Sequence, residues 1–138
     1  MRYRYWILFI WLSSCSPQSL EDYQQETRFL MRALIQELQT IEYPEHLSKS
    51  EPELRKKFNQ LVDLMIQARE YQQERGLDAP ARVDALLDDN ESLKMELRRI
   101  YSIERGRECI ERASQEALIR LDAYERQLKK KRGAYRPE

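Results

Sequence analysis

Apolar side chains return every three or four residues through most of this chain, and that spacing constrains the fold more than any other feature. Leu20, Tyr23, Thr27, Leu30, Met31, Leu34, Leu38 and Ile41 share one face of a helix with a period near 3.6. Leu54, Phe58, Leu61, Val62, Met65, Ala68 and Tyr71 repeat the pattern, as do Ile103, Ile110, Ala113, Ala117, Leu121, Tyr124 and Leu128. A strand would instead alternate at every second residue. Charged residues make up 35% of the sequence, and the whole chain holds three glycines and five prolines, a balance that favours helix over sheet. The expected class is all-α: a small helical bundle, or a helical hairpin followed by a long helix with coiled-coil character.

Local signals mark the boundaries. Ser19 is placed to cap the first helix, with Glu21 and Asp22 in its first turn opposite the positive end of the helix dipole. Tyr43-Pro44 ends that helix, and a loop carrying His46 leads to Ser50-Glu51-Pro52-Glu53, which reads as a capping box with proline in the first turn. Gly76 follows as a C-terminal cap, so the first two helices are expected to lie antiparallel. Tyr23-Gln24-Gln25-Glu26 recurs as Tyr71-Gln72-Gln73-Glu74, but one copy opens a helix and the other closes one, so it is not taken as a repeat.

A third helical stretch is expected to start at Asp78-Ala79-Pro80. Val83, Leu86, Asn90, Leu93, Leu97 and Ile100 then alternate three- and four-residue steps, the seam of a coiled coil, over fewer than the roughly three heptads that define one securely. Asn90 occupies an a-type position in that seam. It specifies register if the seam meets a second copy of the chain, and it packs at a bundle edge if the seam meets the first two helices. The apolar register slips near Gly106, which leaves residues 80–131 as one stuttered helix or as two. The helical domain is expected over residues 19–132, with a disordered tail at 133–138.

Chemistry-bearing constellations are sparse. His46 stands alone as a histidine, and the glycines at 76, 106 and 133 form no phosphate-binding loop. Asp84, Asp88, Asp89 and Glu91 are the densest acidic group, read as a solvated helix face. No cofactor, metal, small-molecule substrate or nucleic acid is expected, and neither is enzymatic activity. Lys129, Lys130, Lys131 and Arg132 form the concentrated basic patch, either complementing a helix dipole or meeting an anionic surface.

The N-terminus carries a different kind of signal. Arg2 and Arg4 precede the apolar run Trp6-Ile7-Leu8-Phe9-Ile10-Trp11-Leu12, which is too short to span a bilayer, and Leu12-Ser13-Ser14-Cys15 follows directly. This segment resembles bacterial lipoprotein precursors, whose lipobox is a branched apolar residue, two small residues and cysteine. The resemblance covers residues 1–18. It implies a signal peptide over 1–14, diacylglycerol attachment to the Cys15 thiol, cleavage before Cys15, and a short lipidated tether over 15–18. Ser16 resembles the residue found in outer-membrane-directed members. A lipid-anchored protein of the cell envelope follows, at the outer membrane facing the periplasm in a two-membrane cell.

With Arg2 and Arg4 removed, 22 basic side chains face 24 acidic ones, so no overall charge draws the mature chain to nucleic acid. Acylated Cys15 cannot form a disulfide, which leaves Cys109 either as a bridge between copies or as a small buried hydrophobe. The expected role is structural or interaction-based: a membrane-anchored module that binds a protein partner or forms a homodimer, as an accessory of an envelope assembly or secretion machine. The alternative role is binding of an anionic envelope polymer or membrane surface through the basic end of the last helix.

Overall fold

A computed structural model describes residues 19–76 and 90–134. The lipobox Leu12-Ser13-Ser14-Cys15, the tether, the Pro80 helix start, the seam residues Val83 and Leu86, and Asp84, Asp88 and Asp89 lie outside the described residues. The described residues form four helices and no strand, an all-α fold packed as a bundle. These are α1 (Leu20–Gln39), α2 (Pro44–Glu74), α3 (Glu91–Tyr101) and α4 (Gly106–Ala134).

Helix α1 begins where the sequence places it. The Ser19 hydroxyl accepts from the Asp22 N–H, and the Asp22 carboxylate accepts from the Ser19 N–H, each at 3.1 Å. Two of the donors left free at a helix start are thereby satisfied. Tyr23, Thr27, Met31, Leu34 and Leu38 turn inward, as their spacing predicts. The buried Thr27 hydroxyl donates back to the Tyr23 carbonyl at 2.7 Å, so its burial strands no polar atom.

Helix α2 starts seven residues earlier than the Ser50 capping box implies. Tyr43 is extended, Pro44 occupies the first turn, and His46 reaches back so that its Nδ1 accepts from the Glu42 N–H at 3.3 Å. The supposed loop is therefore the first turns of a helix. Leu47 and Ser50 are buried on the same face as Leu54, and Pro52 lies inside the helix. Its missing N–H removes one backbone bond without breaking the helix, because core packing holds both sides of the site. Gly76 has φ +61°, in the left-handed region open to a glycine that follows a helix.

Of the stretch expected as one stuttered helix or two, the described part forms two, α3 and α4. Asn90 is an N-cap rather than an a-position: its side-chain oxygen accepts from the Leu93 N–H at 2.9 Å, and α3 begins at Glu91. A cap leaves the helical register, so Asn90 cannot specify a coiled-coil seam. Helix α3 then stops at Tyr101, and a turn through residues 102–105 leads into α4. Arg105 adopts φ +63° there, and its carbonyl accepts from the Cys109 N–H at 3.1 Å. The register slip near Gly106 is thus a break between two helices. At the far end, α4 continues through Gly133 to Ala134, past the expected start of the tail.

Helix directions follow from side-chain pairings. Tyr23 meets Tyr71, with ring centroids 5.6 Å apart, and Glu37 meets Lys57 at 4.0 Å, so α1 and α2 are antiparallel. The repeated Tyr-Gln-Gln-Glu segments are neighbours in space because one opens α1 and the other closes α2. Helices α2 and α4 run parallel. Their contacts climb together, from Leu47 with Cys109, through Glu51 with Arg112 and Asn59 with Arg120, to Arg69 with Glu125.

Each helix packs on two others: α2 on α1 and α4, and α3 on α1 and α4. Among the described residues, the diagonal pairs α1 with α4 and α2 with α3 make no close backbone approach. This is a four-cornered bundle whose fourth corner is occupied by the short helix α3. One core cluster joins Leu34, Leu38, Leu54, Leu61, Ile100, Cys109 and Ile110, and a second joins Tyr23, Leu64, Met65 and Ala68, with Leu121 packed against it.

Gly106 is required by a close approach. A Cβ there would collide with the backbone oxygen of Ile100, whereas a Cβ on Gly133 meets nothing within 4 Å. Gly106→Ala is expected to destabilise the fold by roughly 1–3 kcal/mol, because backbone rather than a flexible side chain must move. Gly133→Ala is expected to stabilise it by up to about 1 kcal/mol through helix propensity. Denaturant unfolding of the two variants checks both signs.

Candidate functional site

Of the residues expected to form an interaction seam, the described Leu93, Leu97 and Ile100 face the interior. Ile100 is fully buried, and Leu93 and Leu97 pack against the core cluster built from α1, α2 and α4. They meet other helices of the same chain, so they are not a surface for a second copy. The α3 periodicity is real, but the same spacing serves a bundle corner as well as a coiled-coil seam.

The strongest polar arrangement is one that sequence reasoning missed. Arg99 donates from one Nη to the Ile41 carbonyl at 2.6 Å and from the other to the Leu38 carbonyl at 2.7 Å. Its Nε donates to Glu96 at 2.8 Å. The Leu38 carbonyl, in the last turn of α1, also accepts from the Ile41 N–H at 3.1 Å, and the Ile41 carbonyl lies just beyond the Thr40 cap; the guanidinium gives both a charge-assisted bond. This arrangement is structural, fastening α3 to the end of α1. The only sequence signal was an arginine beside the buried Ile100, which does not name a partner far along the chain.

A polar ladder seals the α2–α4 interface. Glu51 binds Arg112 at 3.0 Å and Arg55 at 3.0 Å, Arg120 pairs with Asp63 and donates to Asn59, and Arg69 pairs with Glu125 at 3.2 Å. The bond from Arg112, opposed by partial burial and aided by the two guanidinium charges, holds the Glu51 carboxyl below the usual glutamate range.

Cys109 is buried on α4, where its thiol donates to the Leu47 carbonyl at 3.6 Å. Burial, reinforced by the nearby Glu51 charge, pushes the thiol pKa up and keeps it protonated. A thiol so placed cannot bridge two copies without unfolding, so the packing role applies. His46 is spent on the start of α2 and on an edge contact with the Tyr43 ring at 5.5 Å. No group of His, Cys, Asp and Glu among the described residues is arranged to hold a metal ion. The Tyr124 hydroxyl is the one buried side-chain polar atom among them without a hydrogen-bond partner; burial and the neighbouring Glu70 raise its pKa.

The outer surface carries the remaining candidates. Leu118 and Ile119 stand 54% and 60% exposed on α4, beside Gln115 and Asp122, and Phe29 stands 70% exposed on α1. Lys129, Lys130, Lys131 and Arg132 are all exposed on the last turns of α4. No described helix is long and apolar enough to cross a membrane.

Compared with models of known protein families, with curated proteins and with solved structures, the chain gives no significant match in any of the three.

Two outcomes test this polar and thiol chemistry. A carboxyl whose pKa is lowered by folding contributes stability above the unfolded pKa, and that contribution is lost as pH falls through the folded one. The melting-temperature difference between the unmodified chain and Arg112→Gln is therefore expected to be largest near neutrality and to shrink on acidification below the ordinary carboxylate range. Cys109 is expected to resist thiol reagents in the native protein and to react only at the rate of unfolding, as timed labelling with and without denaturant will show.

Proposed function

We propose that this chain is a lipid-anchored module of a bacterial cell envelope that acts through contact with a protein partner rather than through catalysis. The observation carrying the reading is that Leu12-Ser13-Ser14-Cys15 ends four residues before Ser19, the residue that caps α1. A lipid on Cys15 leaves a tether whose fully extended reach is at most about 14 Å, so the bundle is held at the membrane surface. Two or three acyl chains make that attachment effectively permanent, where one is marginal.

The interaction role draws support from the way the helices use their side chains. Interior apolar residues, Arg99 and the α2–α4 ladder are committed to holding the bundle together. The outer face of α4 retains the adjacent pair Leu118 and Ile119. Such a pair at the centre of a polar helix face suits a small contact with another protein, such as a component of an envelope assembly or secretion machine.

Cys15→Ala tests the anchor directly. It is expected to abolish incorporation of labelled fatty acid and to shift the mature protein out of the detergent-soluble membrane fraction or leave it as an uncleaved precursor. Acyl labelling that persists in the variant overturns the reading. In-cell cross-linking from a photoreactive residue at position 118 is expected to capture a discrete partner in the anchored protein.

A further inference from the structure

We propose that the end of the bundle next to the tether is an electrostatic docking surface for anionic lipid headgroups, and that it holds the bundle upright on the membrane. The inference rests on the lipid-anchor reading and adds to it an orientation and a second, charge-based attachment. Its ground is a juxtaposition that the sequence does not reveal: the start of α1 and the end of α4 lie at the same end of the molecule.

Two pairings establish this. Tyr23 lies against Tyr71, so four residues back along α1, Ser19 comes level with the last turn of α2. Arg69 pairs with Glu125, so four to seven residues on along α4, Lys129, Lys130, Lys131 and Arg132 also come level with the last turns of α2. Ser19, at the start of α1, and the basic cluster therefore lie at the same end of the bundle. Residues 102–105, between α3 and α4, mark the opposite end.

Charge pairing distinguishes this end from the rest of α4. Arg105, Arg112 and Arg120 each have an acidic partner, and Arg107 lies over the Tyr101 ring at 4.8 Å. Lys129, Lys130, Lys131 and Arg132 have no ion pair among the described residues, although Arg126 and Arg75 stand close by in sequence or level. Arg75 lies over the Tyr71 ring at 4.7 Å. Among the described residues, the acidic groups at this end, Glu21, Asp22, Glu26, Glu70 and Glu74, lie on α1 and α2, and Asp22 is engaged in the α1 capping box, whereas the four cations stand in succession on α4. One or two cations would complement the helix dipole, whereas four in succession project around the whole helix circumference.

Reach and screening decide that the arrangement works. The extended tether spans at most about 14 Å, and the membrane field decays over a Debye length of about 8 Å at physiological salt. A bundle tethered elsewhere along its length would keep these lysines outside that field. Tethered at this end, they sample it continuously, and each basic residue near an anionic surface multiplies the docked population by about fivefold.

The test uses the mature protein purified from membranes, with Cys15 acylation read from its intact mass so that failure of the anchor reading is seen separately. A fluorophore on Gly133→Cys, where the added side chain meets open space, reports proximity to spin-labelled headgroups. Strong quenching is expected in phosphatidylcholine vesicles containing phosphatidylglycerol and weak quenching in phosphatidylcholine alone. Replacing Lys129, Lys130, Lys131 and Arg132 with glutamine should reduce the first signal to the second, as should high salt. The proposal is overturned by equal quenching in both vesicles, by insensitivity to the four substitutions, or by equal quenching of a label at Glu104→Cys on the opposite end. Transfer of the tip from anionic vesicles to soluble polyphosphate at equal phosphate concentration also overturns it, in favour of an anionic polymer.

Discussion

The guanidinium of Arg99 sits where the architecture depends on a single side chain. Helix α1 ends at Gln39, and just beyond it Ile41 turns into the core, which leaves the Leu38 and Ile41 carbonyls within reach of α3. Arg99 donates to both from α3, so the end of one helix is fastened as another docks. Docking α3 in turn brings Ile100 into the core and sets its carbonyl against Gly106, where any side chain would collide. The capping of α1, the position of α3 and the start of α4 are therefore one linked arrangement. Glu96 holds the Arg99 Nε from the other side and limits the rotamers over which the guanidinium must be ordered.

A second constraint comes from the parallel course of α2 and α4. Parallel neighbours cannot be joined by a tight turn, so the chain between Glu74 and Gly106 has to return the length of the bundle, and α3 is part of that return. The salt-bridge ladder at this interface lies mostly near the surface, where each pair is worth little by itself. Its value is in register. Glu51, Asp63 and Glu125 meet cations at successive levels, and sliding α4 by one turn would leave several of them opposed to the wrong partner. The buried Cys109 and Ala113 allow the close helix approach that this ladder requires.

Periodicity and capping made the helical class, the start of α1 and the inward faces of α1, α2 and α4 legible in the sequence, because those features depend on local spacing, whereas α1 ends at Gln39, short of the expected Tyr43-Pro44 stop. Three features were not legible, each for a different reason. Ser50-Glu51-Pro52-Glu53 has the composition of a helix start, yet Leu47 and Ser50 extend the buried face upstream of it, so tertiary packing overrides the local cap. Asn90 fits both a coiled-coil a-position and an N-cap, and the spacing of its neighbours is the same in either case. Arg99 acts across a long sequence separation, and no local pattern encodes such a partner. The lipobox-like segment and the basic cluster were readable as motifs, but the adjacency of the α1 start and the α4 end, which bears on both, depends on the directions of three helices.

That adjacency changes what each motif means. A basic C-terminal turn on a free helix is adequately explained by the negative end of its dipole. A lipobox before a capped helix specifies only that the domain stays near a surface. Under the proposed anchoring at Cys15 the two would be geometrically coupled: the tether would restrict the tip to a shell a few residues deep, and confinement of this kind raises the effective concentration of lysines at the headgroups without improving any single contact. A weak patch that would not bind a membrane by itself then has a defined orientation to enforce. An upright bundle turns the outer face of α4, with Leu118 and Ile119, sideways along the membrane, within reach of a neighbour anchored in the same plane. A bundle lying flat would present that face to lipid or to solvent according to its roll, and a protein contact there would compete with the membrane.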